Sequence, residues 1–445
     1  MTRPASDELI RAASYLKSQP YKQRDGYSLV AMKQGYECVG SPLSSTTSVL
    51  VGGTNGKGTT AGMLYMLLRE LGYKVGLYSS PHLESLAERC EISSHKIVEA
   101  DLFNMVLYLE RTIDQPLFHQ LSSFELMTLS SFCLMAEHNV DVAIVEVGMG
   151  GEFDATNVLQ PTVSVITSIG LDHTQQLGNT IIEIAQTKSG IRRCGMPLVL
   201  GVRAHFEPEL KVFWRSLKHN PLYLVCQEQI HSGSYPGWLP SRHGLVSSVI
   251  KENYHLAQKV IQVLSGLPGV LDAKNNTLTC DHTQRVCHSL PNVLRGRGQW
   301  LTVDQYTFYL DTAHNYQALT AAISWFQSNL TSDHDNTLEK SVACLGLLQD
   351  KEPQTILSYA TSKFDRIFLF QSLQPRAYRP PFVNVNDDHH SQHLTYNWSE
   401  SFSEAMNLCL NHMAEHKISA CFVGGSFNTV ALFIKYIRKR WQVNV

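Results

Sequence analysis

The chain has 445 residues, of which 43% are hydrophobic and 17% are charged, and its formal net charge is −2 at pH 7. This length predicts two or three domains, and the composition is that of an ordinary globular protein. The near-neutral charge gives no reason to expect nucleic-acid binding, which usually needs a basic surface. No apolar run approaches the about 20 residues that cross a bilayer, and the N-terminus lacks the apolar core of a signal peptide, so no membrane partner is expected. The ten scattered cysteines are accordingly expected to be reduced thiols in a cytoplasmic protein.

Two short helices are predicted ahead of the first strand. Residues 7–16 are amphipathic at helical spacing and precede a polar turn. Residues 27–33 are predicted to form a second helix, which Gly35 is expected to end.

The stretch from Thr47 to Pro81 is the strongest functional signal in the sequence. An apolar run at 48–51 leads into a glycine-rich turn at 52–60, and a helical pattern follows and ends near Gly72. This order of strand, glycine-rich turn and helix N-terminus places freed backbone N–H groups and the positive end of a helix dipole around an anion. The pattern therefore predicts a phosphate-binding loop.

The loop departs from the usual pattern G-x-x-x-x-G-K-[ST]. Val51 stands where the first glycine is expected, and Gly58 separates Lys57 from Thr59. An ordinary turn between a strand and a helix is the alternative, but the flanking elements favour phosphate binding. Lys57 would then supply the positive charge, and Thr59 or Thr60 a hydroxyl group near a metal ion.

Two further strands are predicted to end beside this loop. The apolar run at 142–145 ends at Glu146, where a carboxylate at the carboxyl end of a buried parallel strand suits a magnesium ligand or a base. A strand at 163–167 leads to His173, which is expected to cap a helix running from about 180 to 190. Taken alone, a histidine there is more often structural, and Lys188 near the helix end would ordinarily only offset the helix dipole.

The pattern restarts near residue 295, which we take as a domain boundary. Domain 1–295 precedes domain 296–445, a smaller unit of alternating strands and helices without a phosphate loop of its own. The cysteines and histidines at 280–288 do not have the spacing of a zinc finger. The tract at 387–393 resembles a metal cluster but lies in a stretch without a strand or helix pattern, so we interpret it as a solvated loop.

Taken together, these segments resemble the folylpolyglutamate synthase/dihydrofolate synthase family of the Mur ligase superfamily. The resemblance keeps order and rough spacing along nearly the whole chain. The segments that carry it are 53–59 (GTNGKGT), 78–83 (YSSPHL), 146–151 (EVGMGG), 154–157 (DATN), 172–174 (DHT), 188–191 (KSGI), 311–315 (DTAHN), 346–351 (GLLQDK) and 424–427 (GGSF).

The resemblance implies an α/β fold, with a P-loop-containing, parallel-sheet ATPase domain of Mur ligase type followed by a smaller Rossmann-like domain. It also implies roles for individual residues, with ATP and Mg²⁺ as cofactors. Lys57, Lys188 and His314 would be catalytic, and Lys188 matches a lysine that is carbamylated in this family. The nucleotide would contact Asn55, Gly56, Lys57, Gly58, Thr59, Asn253, Arg297 and Asp311. The magnesium ligands would be Ser80, Glu146 and His173. The pterin would be bound by Ser122, Ser123, Phe124, Glu125, Phe153, Asp154 and Ala155.

The implied activity is that of an ATP-dependent, ADP-forming ligase. It would add L-glutamate to dihydropteroate, or to the glutamate tail of a reduced folate, through an acyl phosphate, and the resemblance suggests a monomer. The acceptor side departs from the family: Glu152 stands where arginine is common, and the loop at 19–27 is short. These departures favour an alternative, a paralogue that joins an amino acid to a different carboxylate. A nucleotide-binding protein without ligase turnover is a third possibility, disfavoured by the full set of candidate metal residues.

Overall fold

The structure is a computed structural model that describes residues 6–19, 28–231, 235–242, 245–271, 292–330, 340–372, 374–380 and 396–443. The chain divides into two compact units, the first formed by Met1–Gly237 and Lys251–Cys287 and the second by Trp238–Ile250 and His288–Val445. Segment 238–250 thus groups with the second unit, whereas the sequence suggested a single boundary at 295/296, which stays a prediction. The predictions for the loop at 19–27 and for the segments 280–288 and 387–393 concern residues that lie mostly or wholly outside the described ranges.

The first unit is built on a seven-stranded sheet with the strand order β3-β2-β4-β1-β5-β6-β7. Every neighbouring pair is parallel except β2 and β3, which are antiparallel. The strands are β1 (Thr47–Gly52), β2 (Val75–Tyr78), β3 (Cys90–Ile92), β4 (Val142–Glu146), β5 (Val163–Ile166), β6 (Leu198–Leu200) and β7 (Leu222–Leu224). Because β1 lies between β4 and β5, the residues that follow these three strands meet at one edge of the sheet.

Ten α-helices belong wholly or partly to the described part of this unit. They are α1 (Ser6–Ser18), α2 (Val30–Cys38), α3 (Lys57–Glu70), α4 (Glu99–Thr112), α5 (Gln115–Gln120), α6 (Ser123–Glu137), α7 (Thr174–Leu177), α8 (Ile181–Ser189), α9 (Pro208–Ser216) and α10 (Ser248–Ser265). The boundary between the units, at Ile250/Lys251, falls inside α10. Helix α2 was predicted to end at Gly35 but runs through it. A Cβ at Gly35 would lie 3.2 Å from Leu129, so this glycine serves close helix packing rather than helix termination.

The second unit contains a six-stranded sheet with the order β10-β11-β15-β12-β13-β14 and a small antiparallel pair, β8 and β9. Its strands are β8 (Ser241–Arg242), β9 (Leu245–Val246), β10 (Arg297–Val303), β11 (Tyr306–Asp311), β12 (Ser341–Leu345), β13 (Arg366–Phe370), β14 (Tyr396–Ser399) and β15 (Ala420–Gly424). Its helices are α11 (Tyr316–Ser328), α12 (Pro353–Thr361), α13 (Phe402–His416) and α14 (Phe427–Trp441). All neighbouring strands of the large sheet are parallel except the hairpin β10–β11. The predicted α/β class, with a parallel sheet in each unit, is confirmed.

Burial explains why several strands of both sheets read as continuous apolar runs. Strand β4 is buried along its whole length, and β12 and β15 are as well. Strands covered on both faces do not alternate between polar and apolar residues. Within the described ranges, no helix combines the length and the apolar character needed to cross a membrane.

Candidate active site

The predicted phosphate loop leaves the carboxyl end of β1 and enters the N-terminus of α3. Two of its glycines adopt a backbone conformation that other residues rarely adopt. Gly53 has φ of +136° and Gly56 has φ of +86°. A Cβ at Gly53 would overlap the hydroxyl oxygen of Thr167, and one at Gly56 would lie 2.5 Å from Oδ1 of Asn253. No side chain fits at either position, so the loop is a backbone cradle of the type that holds phosphate.

Residues 167–170, which follow β5 and are called the brace here, hold this loop in shape. The hydroxyl of Thr167 donates to the Asn55 carbonyl oxygen at 2.7 Å, and the hydroxyl of Ser168 donates to the same oxygen at 3.0 Å. The Ser168 oxygen also accepts from the Asn55 N–H at 2.9 Å. Thr54 is tied to Gly170 by two bonds of 3.1 Å, one in each direction between its hydroxyl and the Gly170 backbone. Sequence reasoning missed Thr167 and Ser168, whose only signal was their position after a strand that neighbours β1.

Two lysines converge on the carbonyl oxygen of Gly53. Nζ of Lys57 donates to it at 3.2 Å and to the Thr54 carbonyl at 3.2 Å. Nζ of Lys188 reaches the same Gly53 oxygen at 2.9 Å, and this side chain is only 4% exposed. Lys188, which a lysine's usual role near a helix end would leave only offsetting the helix dipole, instead contacts the loop. The structure brings two cationic side chains to the entrance of the loop.

Two of the three candidate metal ligands are joined by a hydrogen bond. Glu146, which is 3% exposed, accepts the backbone N–H of Ser80 at Oε2 with a distance of 3.1 Å. A buried carboxylate beside a hydroxyl-bearing residue suits a hard divalent cation that prefers oxygen ligands. Within the described ranges, no group of three or more His, Cys, Asp and Glu side chains has metal-binding geometry. The candidate set contains only two such residues beside a serine, so the fit rests on the Ser80–Glu146 pair.

His173 does not cap the helix that was predicted to begin near residue 180. Thr180 caps α8 instead, and its hydroxyl accepts the N–H of Glu183. His173 immediately precedes the separate short helix α7, has φ of +50° and donates its backbone N–H to Asp172 Oδ1 at 2.8 Å. A left-handed conformation is uncommon for a residue other than glycine and is worth noting at a candidate functional position.

Asp154, a candidate pterin contact, is a buried carboxylate with several hydrogen bonds. Its Oδ2 accepts the Met149 N–H at 2.9 Å, and its Oδ1 accepts both the N–H and the hydroxyl of Thr156, at 3.0 and 2.6 Å. Burial raises its pKa above the usual value, while these donors act in the opposite direction. Phe124 packs close by, because a Cβ at Gly148 would lie 2.5 Å from its ring and 3.0 Å from Asp154 Oδ2.

The other candidate substrate positions have varied surroundings. Ser122 and Glu125 form a capping box at the start of α6, in which the serine hydroxyl donates to Glu125 Oε2 at 2.7 Å. Ser123 is the first residue of that helix. Phe153 is 49% exposed, whereas Ala155 is 5% exposed. An exposed phenylalanine next to Asp154 suits contact with an aromatic ligand.

A second group of candidate residues lies in the second unit, around Phe427. The guanidinium carbon of Arg297 is 5.6 Å from the centre of the Phe427 ring, and the His314 ring centre is 6.0 Å from it. Nδ1 of His314 lies 3.0 Å from the Thr312 carbonyl oxygen. A carbonyl oxygen only accepts, so Nδ1 carries the proton. Arg297 also lies opposite Asp311 in the register of the β10–β11 hairpin. Burial raises the pKa of Asp311 to about 6, and Arg297 opposes that rise.

Comparison with known proteins agrees with this arrangement. A sequence model of the Mur ligase middle domain matches residues 51–194. The Bacillus subtilis protein "dihydrofolate synthase/folylpolyglutamate synthase" is 42% identical over 175 residues, which are 38% of this chain and 41% of that protein. The solved structure of E. coli FolC in complex with DHPP and ADP has a TM-score of 0.73 at 25% identity and covers 97% of this chain and 98% of its own. A bifunctional folylpolyglutamate synthase/dihydrofolate synthase with Mn, AMPPNP and L-glutamate bound gives a TM-score of 0.75 at 25% identity, and both chains are covered completely (100%).

Residues 51–194 thus match the Mur ligase middle domain, and the fold over nearly the whole chain resembles that of folylpolyglutamate synthase/dihydrofolate synthase structures.

The sequence alignment with the first curated relatives is shorter than the structural match. The aligned sequence spans less than half of the first curated relatives, with 41% of one and 35% of another. The structural similarity to the family extends over both units. The Mur ligase match includes the loop, the brace, Ser80, Glu146 and Lys188. Asn253 and the residues around Phe427 lie outside this match.

Proposed function

We propose that this chain is an ATP-dependent, ADP-forming ligase that attaches L-glutamate to dihydropteroate, to the glutamate tail of reduced folates, or to both. The observation that carries the proposal is the backbone cradle at 53–56, with Lys57 and Lys188 at its entrance. A cradle and two ammonium groups favour a polyphosphate over an uncharged ligand. Family relatives with ADP, AMPPNP, Mn or L-glutamate bound support the same substrates.

Activation of the acyl substrate needs ATP because a free carboxylate has no good leaving group. A carboxylate oxygen attacks the γ-phosphorus, the bond to the β,γ-bridging oxygen breaks, and ADP leaves with that electron pair. The α-amine of glutamate then attacks the acyl carbon, phosphate departs, and the amine loses its proton. Lys57, once its ammonium group turns from the loop carbonyls to the phosphates, would offset the negative charge that accumulates on the transferring phosphoryl group.

Ser80, Glu146 and His173 are the residues that would hold a divalent cation. The buried Glu146 carboxylate, bonded to the Ser80 N–H at 3.1 Å, is the feature of this chain that suits such an ion. When bound, magnesium would neutralise part of the phosphate charge. Lys188 lies at hydrogen-bonding distance from the loop and would hold the Gly53 carbonyl in place.

The acyl substrate would be bound by the face formed by Phe124, Phe153 and Asp154. An aromatic ring and a carboxylate side by side suit a flat heterocycle that carries N–H donors. Glu152 bears on the alternative, a different carboxylate acceptor. Its side chain is exposed next to Phe153, so it places a negative charge at this face, where a polyanionic tail would be repelled.

In the second unit, Arg297, Asp311 and His314 are proposed to contact the nucleotide. Their grouping around Phe427 supports this assignment, as does the protonated Nδ1 of His314, which orients its ring. We also propose a cytoplasmic monomer. Every described cysteine is a free thiol, which agrees with a reducing compartment. Light scattering of the purified protein would test the monomer.

The test is ATP-dependent phosphate release with dihydropteroate and then with tetrahydrofolate, each with L-glutamate. We expect turnover with at least one of them and none without glutamate. Lys57→Ala should abolish release, while Lys33→Ala, which changes an exposed lysine on α2, should not. Turnover only with an unrelated acid would support the alternative ligase. ATP binding without turnover on any acid would leave only nucleotide binding and refute the proposal.

A further inference from the structure

Arg203 and Glu252 form an ion pair behind the phosphate loop. Arg203 lies in a short turn, Val202–Ala204, that follows β6, and Glu252 lies on α10. Nε of Arg203 is 2.6 Å from Oε2 of Glu252, and Nη2 is 3.2 Å from Oε1. Two parallel bonds between a planar guanidinium and a carboxylate fix orientation as well as distance. The pair therefore fixes the rotation of α10 relative to the turn.

The residue after Glu252 contacts the loop directly. Asn253 is 7% exposed, and its Oδ1 accepts the hydroxyl of Thr60, in the first turn of α3, at 3.1 Å. The same oxygen is the atom that leaves no room for a side chain at Gly56. Asn253 thus sets one wall of the cradle, and its position depends on that of α10.

The main chain of Arg203 supports the other wall. Its carbonyl oxygen accepts the N–H of Ile169, in the middle of the brace, at 3.2 Å. Gly201, two residues earlier, packs so closely that a Cβ there would overlap the Thr167 carbonyl. Arg203 is therefore the point where the two supports of the loop meet. Its backbone bonds to the brace, and its side chain bonds to Glu252 on the helix that carries Asn253.

We propose that the Arg203–Glu252 ion pair is a positioning element for nucleotide binding, which sets Asn253 against Gly56 and Thr60. Helix α10 enters the first unit at Lys251, so Glu252 is the second residue of the helix in this unit and Asn253 the third. Because Glu252 is adjacent to Asn253 on the same helix, a change in the position of Glu252 moves Asn253 directly. A displacement of about 0.5 Å is enough to break a hydrogen bond of this length. This inference rests on the proposed nucleotide site.

Side-chain substitutions isolate the contribution of the ion pair, because they leave the backbone bond to Ile169 in place. The informative variants are Arg203→Gln, Glu252→Gln, their double variant and Arg203→Lys. Arg203→Lys keeps the positive charge but cannot donate two parallel hydrogen bonds to the carboxylate. Arg11→Gln is the matched control. It breaks a pair of the same type, Arg11 with Glu110, whose two bonds are 2.8 and 2.9 Å and which joins α1 to α4.

The measurements are the Kd for MgADP by calorimetry and the hydrogen exchange of backbone amides at 52–60 without nucleotide. We expect Arg203→Gln and Glu252→Gln each to raise the Kd by about tenfold, which corresponds to about 1.4 kcal/mol. Both variants should also speed hydrogen exchange at residues 52–60. The Kd of Arg203→Lys should lie between those of wild type and Arg203→Gln. The Kd of the double variant should be no higher than that of either single variant. In turnover, KM for ATP should rise while KM for glutamate stays unchanged.

An MgADP affinity of Arg203→Gln within twofold of wild type would overturn the inference, and so would additive effects in the double variant. A merely structural role would lower the unfolding midpoints of Arg203→Gln and Arg11→Gln alike and leave the Kd unchanged. Neither binding nor exchange requires a folate substrate. A wild-type chain that binds MgADP but forms no glutamate amide would refute the proposed function and leave this inference intact.

Discussion

Substitution of Gly53 by alanine tests the phosphate loop most directly. A Cβ at this position would overlap the Thr167 hydroxyl oxygen and lie 3.0 Å from the Ser168 nitrogen, and φ is +136°. Backbone strain costs about 1–3 kcal/mol and overpacking a further 1–3 kcal/mol. We therefore expect Gly53→Ala to lower the free energy of unfolding of the first unit by about 2–6 kcal/mol.

The same substitution should impair nucleotide binding by displacing the Gly53 carbonyl that both Lys57 and Lys188 hold. A loss of about 2.7 kcal/mol of binding energy corresponds to roughly 100-fold in Kd for MgADP. Gly72→Ala is the matched control, because φ there is +87° and nothing lies within 4 Å of a Cβ. It should cost about 1–2 kcal/mol of stability and leave the Kd unchanged.

A second change separates the two causes of the effect. Thr167→Ala removes the oxygen that the new Cβ overlaps but leaves the positive φ. Because Thr167→Ala also removes hydroxyl bonds to the loop, the comparison is between backgrounds: Gly53→Ala should cost about half as much stability in Thr167→Ala as in the wild-type chain. The assays are thermal unfolding followed by circular dichroism and calorimetric titration with MgADP. If Gly53→Ala unfolds at the midpoint of Gly72→Ala and binds MgADP within twofold of wild type, the cradle assignment is wrong.

Three further predictions concern single charged groups. Lys188→Met should leave the unfolding midpoint unchanged or higher, since it removes a buried charge, yet lower turnover at least tenfold; unchanged turnover would exclude a catalytic role. Asp154→Asn should cost about 2 kcal/mol, because an amide N–H₂ faces the Met149 N–H, and should raise KM for the folate rather than for ATP; an effect on KM for ATP alone would move Asp154 out of the acyl site. For Asp311, the folded pKa of about 6 exceeds the unfolded value, so the folded state binds more protons between about pH 4 and about pH 6. The unfolding free energy should therefore fall as pH rises through this window, by at most about 3 kcal/mol for this half-buried group, and Asp311→Asn should remove that dependence in pH-dependent unfolding measurements.

The elements that the sequence predicted well are those whose information is local. The run at 48–51, the glycines at 52–58 and the helix after Lys57 define strand, turn and helix by neighbouring residues alone. The apolar run that ends at Glu146 likewise placed a carboxylate at a strand end. Strand β3 was missed because it has only three residues, and it pairs antiparallel with β2. A strand so short has no periodicity from which it could be recognised.

The surroundings of other positions depend on neighbours that are distant in sequence. Gly35 lies within α2 because Leu129 packs against it, and Lys188 is buried because Gly53, 135 residues earlier, accepts its ammonium group. The assignment of segment 238–250 to the second unit also depends on contacts rather than on composition.

By itself, the sequence determined the two-part α/β architecture, the phosphate loop and the family resemblance, because each follows from contiguous motifs with regular spacing. Only the tertiary structure decided which groups support that loop: the hydroxyls of Thr167 and Ser168, the amide of Asn253 and the ion pair of Arg203. These groups come from separate strands and helices. Thr167, Ser168 and Arg203 meet at the loop because the parallel strands β1, β5 and β6 end at one edge of the sheet, and Asn253 reaches the loop from α10. Their proximity follows from strand order, which no local pattern of residues encodes.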